Sequence, residues 1–328
     1  MAKVVITVPK ARYEQFGVSI PSEWDVTFVP KPYTDEELIQ AVKTADYLLV
    51  GSGDRVSKEV INAGSNLKLI QTEGVGFDKV DGQAAREKGI YLCNNKGVNA
   101  RSVAELTIGL ILAGLRRIAL ADRQFRHDGF TAANTDHLMM GSHELTDKLI
   151  GFVGMGDIAK EAAKRLDGWG CSFAYYDVFR LKEDVEKEYH VEYMEFDDLI
   201  KACDVISMHV PVVPETIGML GKEQFAAMKK SALVINTARG EVIDQDALVW
   251  ALENDEIYGA ALDVLTPEPI PQDAPIMNMS KKAMDKLTLT PHIGGTSNEA
   301  FTTMLIKSLE NITRMMDGEE PLHIVNMR

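Results

Sequence analysis

The sequence predicts an α/β protein that contains two parallel β-sheets, each covered by helices on both faces. Short runs rich in β-branched residues alternate with helical patterns along the 328 residues, and strands that alternate with helices usually pair in parallel. A long helical pattern between residues 99 and 125 interrupts this alternation once. The length fits two domains, so we expect one sheet before this helix and one after it.

The first hundred residues contain five predicted strands and two clear helical patterns. The strands are predicted at residues 3–8, 25–29, 47–50, 68–72 and 90–94. The helical patterns TDEELIQAVKT and SKEVINAG begin at Thr34 and Ser57, whose hydroxyl groups suit an N-cap. This region has no phosphate-binding glycine loop of the dinucleotide type, so we expect a complete α/β unit with another task.

The helical pattern at residues 99–125 has a polar start and an apolar middle. The apolar run, residues 103–115, is too short to cross a bilayer and contains Glu105. Two interpretations remain open: a buried helix at a domain boundary, and a helix that also packs on a second subunit. A less regular segment, residues 127–148, follows.

The second half of the chain repeats the alternation. Strands are predicted at residues 149–154, 171–177, 204–210, 232–238, 258–264 and 287–291, with helices between them. A last helical pattern, residues 296–318, comes after this second sheet is complete.

The composition limits the class of partner and the compartment. The chain has 35 Lys and Arg against 49 Asp and Glu, a formal net charge of −14, which argues against nucleic acid or an anionic membrane. Its three cysteines form no CxxC pair, so we expect reduced thiols and neither a disulfide nor a metal site. The N-terminal run MAKVVITVPK lacks the features of a signal peptide, and we expect a cytoplasmic protein.

A glycine turn opens the second half of the chain. The stretch LIGFVGMGDIAKEAAKRL reads as a strand, a turn and a helix, with the spacing Gly154-x-Gly156-x-x-Ala159. The first glycine allows the tight turn, the second lets the backbone approach a pyrophosphate, and the small third residue lets helix and strand pack. The helix N-terminus then faces the anion. The pattern predicts a dinucleotide site.

The strand that follows this turn indicates which dinucleotide binds. It ends at Asp177, where a carboxylate accepts both ribose hydroxyls and repels a 2′-phosphate. We therefore expect NAD as the cofactor, and Arg180 nearby leaves NADP open.

Three later stretches carry residues suited to hydride transfer. INTARGEVIDQDAL, ALDVLTPEP and TPHIGGTSNEA each follow a predicted strand and contain Arg239, Glu268 and His292. In an open α/β sheet such loops lie at the carboxyl edge, where ligands bind. A histidine can donate the proton that a carbonyl oxygen needs as hydride arrives, a carboxylate orients it, and a guanidinium holds a planar carboxylate.

These stretches, with the glycine turn and TEGVGFDKVD, resemble the D-isomer-specific 2-hydroxyacid dehydrogenase family over nearly the whole chain. The resemblance implies a flavodoxin-like substrate domain that is split in sequence and a Rossmann NAD-binding domain. It divides the chain into residues 1–100 (substrate domain), 101–295 (NAD-binding domain with the crossing helix) and 296–328 (a helix that returns to the substrate domain). Family members are commonly dimers through the crossing-helix region, so a homodimer is expected.

The same resemblance assigns roles to individual residues. Arg239 binds the substrate, Glu268 supports the histidine, and His292 is the acid/base and also contacts the substrate. Backbone around Val75 and Gly76 receives the substrate carboxylate. The implied cofactor contacts, beyond Gly154, Gly156 and Asp177, are Asp157, Ile158, Val210, Thr237, Ala238, Asp263, Gly294 and Gly295.

The family includes enzymes for several substrates. Formate-oxidising relatives typically carry glutamine where Glu268 stands, so a 2-hydroxy acid is favoured. Phosphoglycerate dehydrogenases, an open alternative, place arginines near the substrate phosphate, where this chain has Gly51 and Thr72. Glu73 either points into solvent or disfavours a second anionic group.

An alternative of another class is an NAD-sensing scaffold that resembles the C-terminal-binding-protein corepressors. These proteins keep a similar Arg, Glu and His set, so the motifs alone leave this reading open. We expect a reversible NADH-dependent reduction of a small or medium 2-oxo acid to the D-2-hydroxy acid.

Overall fold

The computed structural model describes residues 1–51 and 53–327 and divides into two compact units. Unit 1 comprises Met1–Asn99 with Gly295–Arg328, and unit 2 comprises Ala100–Gly294. Each unit contains one parallel sheet, so the predicted α/β fold with two parallel sheets is confirmed.

The described residues form twelve strands and fourteen α-helices. The strands are β1 (Lys3–Ile6), β2 (Asp25–Phe28), β3 (Tyr47–Val50), β4 (Leu69–Thr72), β5 (Tyr91–Cys93), β6 (Leu149–Val153), β7 (Ser172–Tyr176), β8 (Val191–Tyr193), β9 (Val205–Met208), β10 (Leu233–Asn236), β11 (Gly259–Leu262) and β12 (Leu287–Leu289). The helices are α1 (Lys10–Gln15), α2 (Asp35–Val42), α3 (Lys58–Ala63), α4 (Gly82–Glu87), α5 (Ala100–Leu115), α6 (Ile118–Asp128), α7 (Phe130–Met140), α8 (Asp157–Leu166), α9 (Glu183–Tyr189), α10 (Phe196–Ala202), α11 (Lys222–Ala227), α12 (Gln245–Glu253), α13 (Lys281–Met284) and α14 (Asn298–Met316).

The sheet of unit 1 has the order β2-β1-β3-β4-β5, which is the flavodoxin-like order. Successive residues of β1 pack on opposite faces, because side chains alternate along a strand. Val4 and Ile6 join a cluster that includes α14, whereas Val5 joins a cluster that includes α2 and α3. The strand order reverses at the β1/β3 edge, where ligands bind in such sheets.

The two predicted N-caps of unit 1 differ. Thr34 forms a full capping box, since its hydroxyl accepts from the Glu37 N–H at 3.2 Å and the Glu37 carboxylate accepts from the Thr34 N–H at 2.7 Å. Ser57 occupies the N-cap position of α3, but its hydroxyl makes no cap bond and donates to Asp35 at 3.2 Å. A charged acceptor on the neighbouring helix therefore replaces the expected local bond.

The sheet of unit 2 has the order β12-β11-β10-β9-β6-β7-β8. All of its pairs are parallel, and the order reverses between β6 and β9. This is the Rossmann arrangement with one further strand. It places the carboxyl ends of β6 and β9 at the crevice where a dinucleotide binds.

Local features of unit 2 differ from the expectation. The helix expected across residues 99–125 is two helices, because Arg117 adopts a left-handed conformation with φ of 53°. The segment expected to be irregular contains α7, bounded by Gly129 and Gly141, both with positive φ. The strand β8 was not predicted, since its three residues are too few to show a period of two.

No helix in the described ranges combines the length and the apolar character needed to cross a bilayer. Cys93 and Cys203 are buried, Cys171 is half-buried, and all three thiols are free. Burial raises the pKa of the Cys93 and Cys203 thiols to about 12. Among the described residues no group of three or more His, Cys, Asp or Glu side chains could hold a metal ion.

Candidate active site

The glycine turn between β6 and α8 has the geometry of an anion site. Gly154 has φ of 92°, and a Cβ on it would lie 2.7 Å from the carbonyl oxygen of His209, so only glycine fits. Gly156 is the N-cap of α8 and has open space where a Cβ would stand. The N–H groups of Gly156, Asp157 and Ile158 donate to no described residue. Three unsatisfied donors at a helix N-terminus fit a pyrophosphate.

Asp177 is fixed beside this turn. Its carboxylate accepts from the Met155 N–H at 2.8 Å and from the Phe179 N–H at 3.0 Å. Arg180, which the sequence left open as a partner for a 2′-phosphate, donates instead to Glu186 at 3.0 Å. The carboxylate suits ribose hydroxyls, and the nearby guanidinium charge is already matched. Both observations fit NAD.

Arg239, Glu268 and His292 lie on loops that follow β10, β11 and β12, which are adjacent parallel strands. The three loops therefore leave the same edge of the sheet. Gly240 brings two of them together, because a Cβ there would lie 2.1 Å from the carbonyl carbon of Leu265. The glycine of the NTARG stretch is thus a packing requirement.

His292 and Glu268 are in direct contact. The Nδ1 atom of His292 lies 2.8 Å from Oε2 of Glu268, and the side chains are 49% and 33% exposed. A carboxylate accepts a hydrogen bond and donates none, so Nδ1 carries the hydrogen. This leaves Nε2 as the atom that exchanges a proton with a reacting group.

Asp263 holds the turn that carries His292. It is buried, and its carboxylate accepts from the N–H groups of Ile293 and Gly294, both at 2.8 Å. Its backbone carbonyl accepts from the His292 N–H at 2.8 Å. The sequence suggested Asp263 only as a cofactor contact, and this positioning of His292 was missed.

Arg239 is half-buried, and its guanidinium donates to the Ala238 carbonyl at 2.8 Å. The Asn236 side chain donates to the Arg239 carbonyl at 2.8 Å. The buried Thr237 hydroxyl lies 2.9 Å from that of Thr107. These contacts fix the backbone that presents Arg239.

His209, which the sequence did not single out, lies at the β6/β9 reversal beside the expected cofactor contact Val210. Its Nε2 lies 2.8 Å from the Ser207 hydroxyl, and its Nδ1 is buried without a partner among the described residues. Burial lowers the pKa of His209 to about 3. The ring is therefore neutral at neutral pH.

Two asparagine side chains donate hydrogen bonds to backbone carbonyl groups of the loop after β4 in unit 1. Asn95 donates to the carbonyl of Glu73 at 2.7 Å, and Asn94 donates to that of Val75 at 2.7 Å. The N–H groups of Val75 and Gly76 donate to no described residue. Two adjacent backbone donors are thus available for an anion.

Two further residues are placed by unit 1. The Glu73 side chain is 1% exposed and accepts from Arg12 NH1 at 3.1 and 3.0 Å, so the alternative that it points into solvent is wrong. Gly295, expected as a cofactor contact, belongs to this unit, and a Cβ on it would lie 2.8 Å from the Asn99 side-chain nitrogen.

Comparison with known proteins identifies the family. The family model of the D-isomer specific 2-hydroxyacid dehydrogenase NAD binding domain matches residues 108–294. Glyoxylate reductase of Thermofilum pendens is 39% identical over 90% of this chain and 85% of its own. D-3-phosphoglycerate dehydrogenase of Methanocaldococcus jannaschii is 36% identical over 100% of this chain but only 60% of its own.

A solved structure shows the same fold with the cofactor. D-lactate dehydrogenase from Aquifex aeolicus, complexed with NAD and lactic acid, has a TM-score of 0.79 and 27% identity, and the match covers 97% of this chain and 96% of that one. The sequence-based resemblance is confirmed. The chain belongs to the D-isomer specific 2-hydroxyacid dehydrogenase family and is an NAD-dependent oxidoreductase of 2-hydroxy acids.

Proposed function

We propose that the protein reduces a small or medium 2-oxo acid to the D-2-hydroxy acid, reversibly, with His292 as the acid/base. The observation that carries this assignment is the 2.8 Å contact between His292 Nδ1 and Glu268 Oε2. The two residues lie on loops that leave neighbouring parallel strands. A histidine oriented by a carboxylate at this edge is the arrangement that proton transfer to a carbonyl oxygen requires.

The proton follows one path through this pair. Bound NADH supplies the hydride that the carbonyl carbon accepts. Nε2 of protonated His292 gives its proton to the carbonyl oxygen, which becomes the hydroxyl, and the imidazole is left neutral. Glu268 keeps the ring oriented and stabilises the imidazolium before transfer. In the oxidation direction the same nitrogen takes the hydroxyl proton.

Arg239 and the loop after β4 bind the substrate in this proposal. The guanidinium pairs with the substrate carboxylate and polarises the adjacent carbonyl. In unit 1, the N–H groups of Val75 and Gly76, which donate to no described residue, are the proposed donors to the substrate carboxylate. Asp157, Ile158, Val210, Thr237, Ala238, Asp263, Gly294 and Gly295 remain the proposed cofactor contacts.

The substrate is a 2-oxo acid without phosphate, of the size of glyoxylate or pyruvate. Support comes from the names of the Thermofilum pendens and Aquifex aeolicus relatives, which refer to small acids. The likeness to the Methanocaldococcus jannaschii enzyme favours 3-phosphohydroxypyruvate as the second candidate.

A substrate panel tests this assignment. Glyoxylate, pyruvate, hydroxypyruvate and 3-phosphohydroxypyruvate are compared by kcat/KM with NADH, and the product is resolved on a chiral column. We expect a D product and the lowest value for the phosphorylated acid. An L product, or a clear preference for the phosphorylated acid, contradicts the proposal.

We also propose a homodimer in the cytoplasm. Helices α6 and α7 expose large apolar side chains, among them Phe130 (67%), Leu138 (77%) and Met139 (85%). Large apolar side chains exposed in this number on neighbouring helices favour a subunit interface. Three free thiols fit a reducing compartment.

A further inference from the structure

Glu73 lies beside the loop of unit 1 that is proposed to bind the substrate carboxylate. It directly follows β4 and precedes the loop with the free N–H groups of Val75 and Gly76. Its side chain is 1% exposed, so its charge is fixed there. Two peptide links separate it from Val75, a Cα distance of about 7 Å at most.

Arg12 on α1 balances this charge without using all of its donors. Both hydrogen bonds to Glu73 come from NH1, at 3.1 and 3.0 Å. The guanidinium also lies 4.8 Å from the ring centre of Phe301, a cation–π contact that holds it in place. Its Nε and NH2 groups donate to no described residue, and the side chain is 35% exposed. Arg12 is thus a cation with spare donors whose charge is cancelled by a buried carboxylate.

A second buried carboxylate, at the point where the strand order reverses between β1 and β3, also pairs with a partly exposed cation. Asp54 is 5% exposed and accepts from the Gly51 N–H at 3.0 Å and from the Thr7 hydroxyl. Lys31 Nζ lies 2.5 Å from its other oxygen. Sheets of this order bind ligands at the reversal, and here an internal carboxylate takes that position.

We propose that Glu73 is a specificity-determining residue that confines the enzyme to 2-oxo acids with one negative charge. By cancelling the charge of Arg12 beside the carboxylate-binding loop, it denies a second anionic group, whether phosphate or carboxylate, a counter-charge. This inference rests on the proposed binding of the substrate carboxylate by Val75 and Gly76. It predicts that Arg12 becomes an anion receptor once the carboxylate is neutralised.

The test is the ratio of kcat/KM for 3-phosphohydroxypyruvate to that for hydroxypyruvate, with 2-oxoglutarate as a second doubly charged substrate. Glu73→Gln keeps the shape of the side chain and removes its charge. The ratio should therefore rise roughly tenfold or more, as expected when one unit charge is removed a few ångströms from a bound anion. The matched control is Glu14→Gln, which removes an exposed charge from α1, the helix that carries Arg12. This variant should leave the ratio unchanged. The double variant Arg12→Gln/Glu73→Gln should return the ratio to the parent value.

Arg12→Gln is an independent variant, since the side chain is partly exposed. It leaves the Glu73 charge unopposed, so the ratio of kcat/KM for 3-phosphohydroxypyruvate to that for hydroxypyruvate should fall. The inhibition constant of 3-phosphohydroxypyruvate should rise for the same reason. NADH binding, measured by fluorescence, verifies that each variant is folded. If the parent reduces hydroxypyruvate but neither Glu73→Gln nor Arg12→Gln shifts the ratio relative to Glu14→Gln, this inference is overturned. A parent that reduces no 2-oxo acid contradicts the proposed function instead.

Discussion

At the scale of single residues, two contacts fix His292. Its Nδ1 atom lies 2.8 Å from the Glu268 carboxylate, and its backbone N–H donates to the Asp263 carbonyl at 2.8 Å. The first leaves Nε2 as the reacting nitrogen. The second keeps the backbone in a left-handed conformation with φ of 55°. The orientation of a ring that follows β12 therefore depends on two residues of the loop after β11.

Replacing His292 with Ala should lower kcat for reduction by roughly 10²–10⁴, the usual contribution of general acid–base catalysis. Glu268→Gln keeps a hydrogen-bond acceptor for Nδ1 but removes the charge, so its loss of kcat should be smaller than that of Glu268→Ala, which also frees the ring. Steady-state kinetics measure all three variants, with NADH binding as the control. Full activity of His292→Ala would exclude it as the acid/base.

Asp177 sets the cofactor preference through its carboxylate, which is fixed by two backbone N–H groups. Asp177→Ala should lower the ratio of kcat/KM with NADH to kcat/KM with NADPH. The substitution removes both an acceptor for the ribose hydroxyls and a charge that repels the 2′-phosphate. Both cofactors are titrated at saturating 2-oxo acid. Equal use of NADH and NADPH by the parent would contradict this role.

His209 makes stability depend on pH. Burial lowers its pKa to about 3, whereas an unfolded histidine titrates near pH 6.5. Between these values the unfolded state binds more protons than the folded state, so stability falls as the pH falls through this window, by at most about 1.4 kcal/mol per pH unit.

His209→Asn should therefore show a shallower loss of stability between pH 6.5 and 4 than the parent. Urea unfolding at several pH values measures it. His127→Asn is the control, because that side chain is 85% exposed. Parallel curves for parent and His209→Asn would show that this histidine does not titrate as proposed.

The glycine turn works at the element scale, where its two glycines have different tasks. Gly154→Ala should lower the melting temperature, because φ of 92° and a Cβ at 2.7 Å from a carbonyl oxygen strain the turn. Gly156→Ala meets nothing within 4 Å, so the fold should tolerate it. The added methyl group stands where the pyrophosphate approaches α8, and the Kd for NADH should rise by roughly tenfold or more.

Calorimetry and NADH titration separate these effects. Gly89→Ala provides a control, since it has a positive φ but nothing within 4 Å; its melting temperature should fall less than that of Gly154→Ala. If Gly156→Ala binds NADH as well as the parent does, the assignment of this turn to the pyrophosphate fails.

The helices before the glycine turn show how far pattern reading extends. Arg117 breaks the expected single helix without a proline or glycine at the break, so no local signal marks it. Its guanidinium lies 4.5 Å from the ring centre of Tyr258. A contact with a residue far along the chain accompanies the break, and such contacts are invisible to periodicity.

At the scale of the whole molecule, the exposed apolar side chains of α6 and α7 predict the oligomeric state. Light scattering should give twice the 36.3 kDa mass of the chain. Leu138→Lys should raise the dimer dissociation constant by roughly tenfold or more, since a charge would be buried in the interface. Ile306→Lys, at a side chain 39% exposed on α14, is the control. A monomeric parent would contradict the dimer.

The sequence by itself determined the alternation of strands and helices, the glycine turn, and the placement of Arg239, Glu268 and His292 after three strands. These features were predictable because they depend on neighbours within a few residues: a period of two, a tight turn, a loop after a strand. The parallel-sheet rule then implied a shared edge, and the order β10-β11-β12 agrees.

Only the tertiary structure decided how the charges are partnered. Glu73 and Arg12 are 61 residues apart in the chain, and only the fold of unit 1 brings their side chains together. Asp263 holds the His292 turn from 30 residues away, and Arg180 is neutralised by Glu186 from the following helix. The pairing of a charged side chain depends on which elements the fold brings together, and no local pattern encodes that choice.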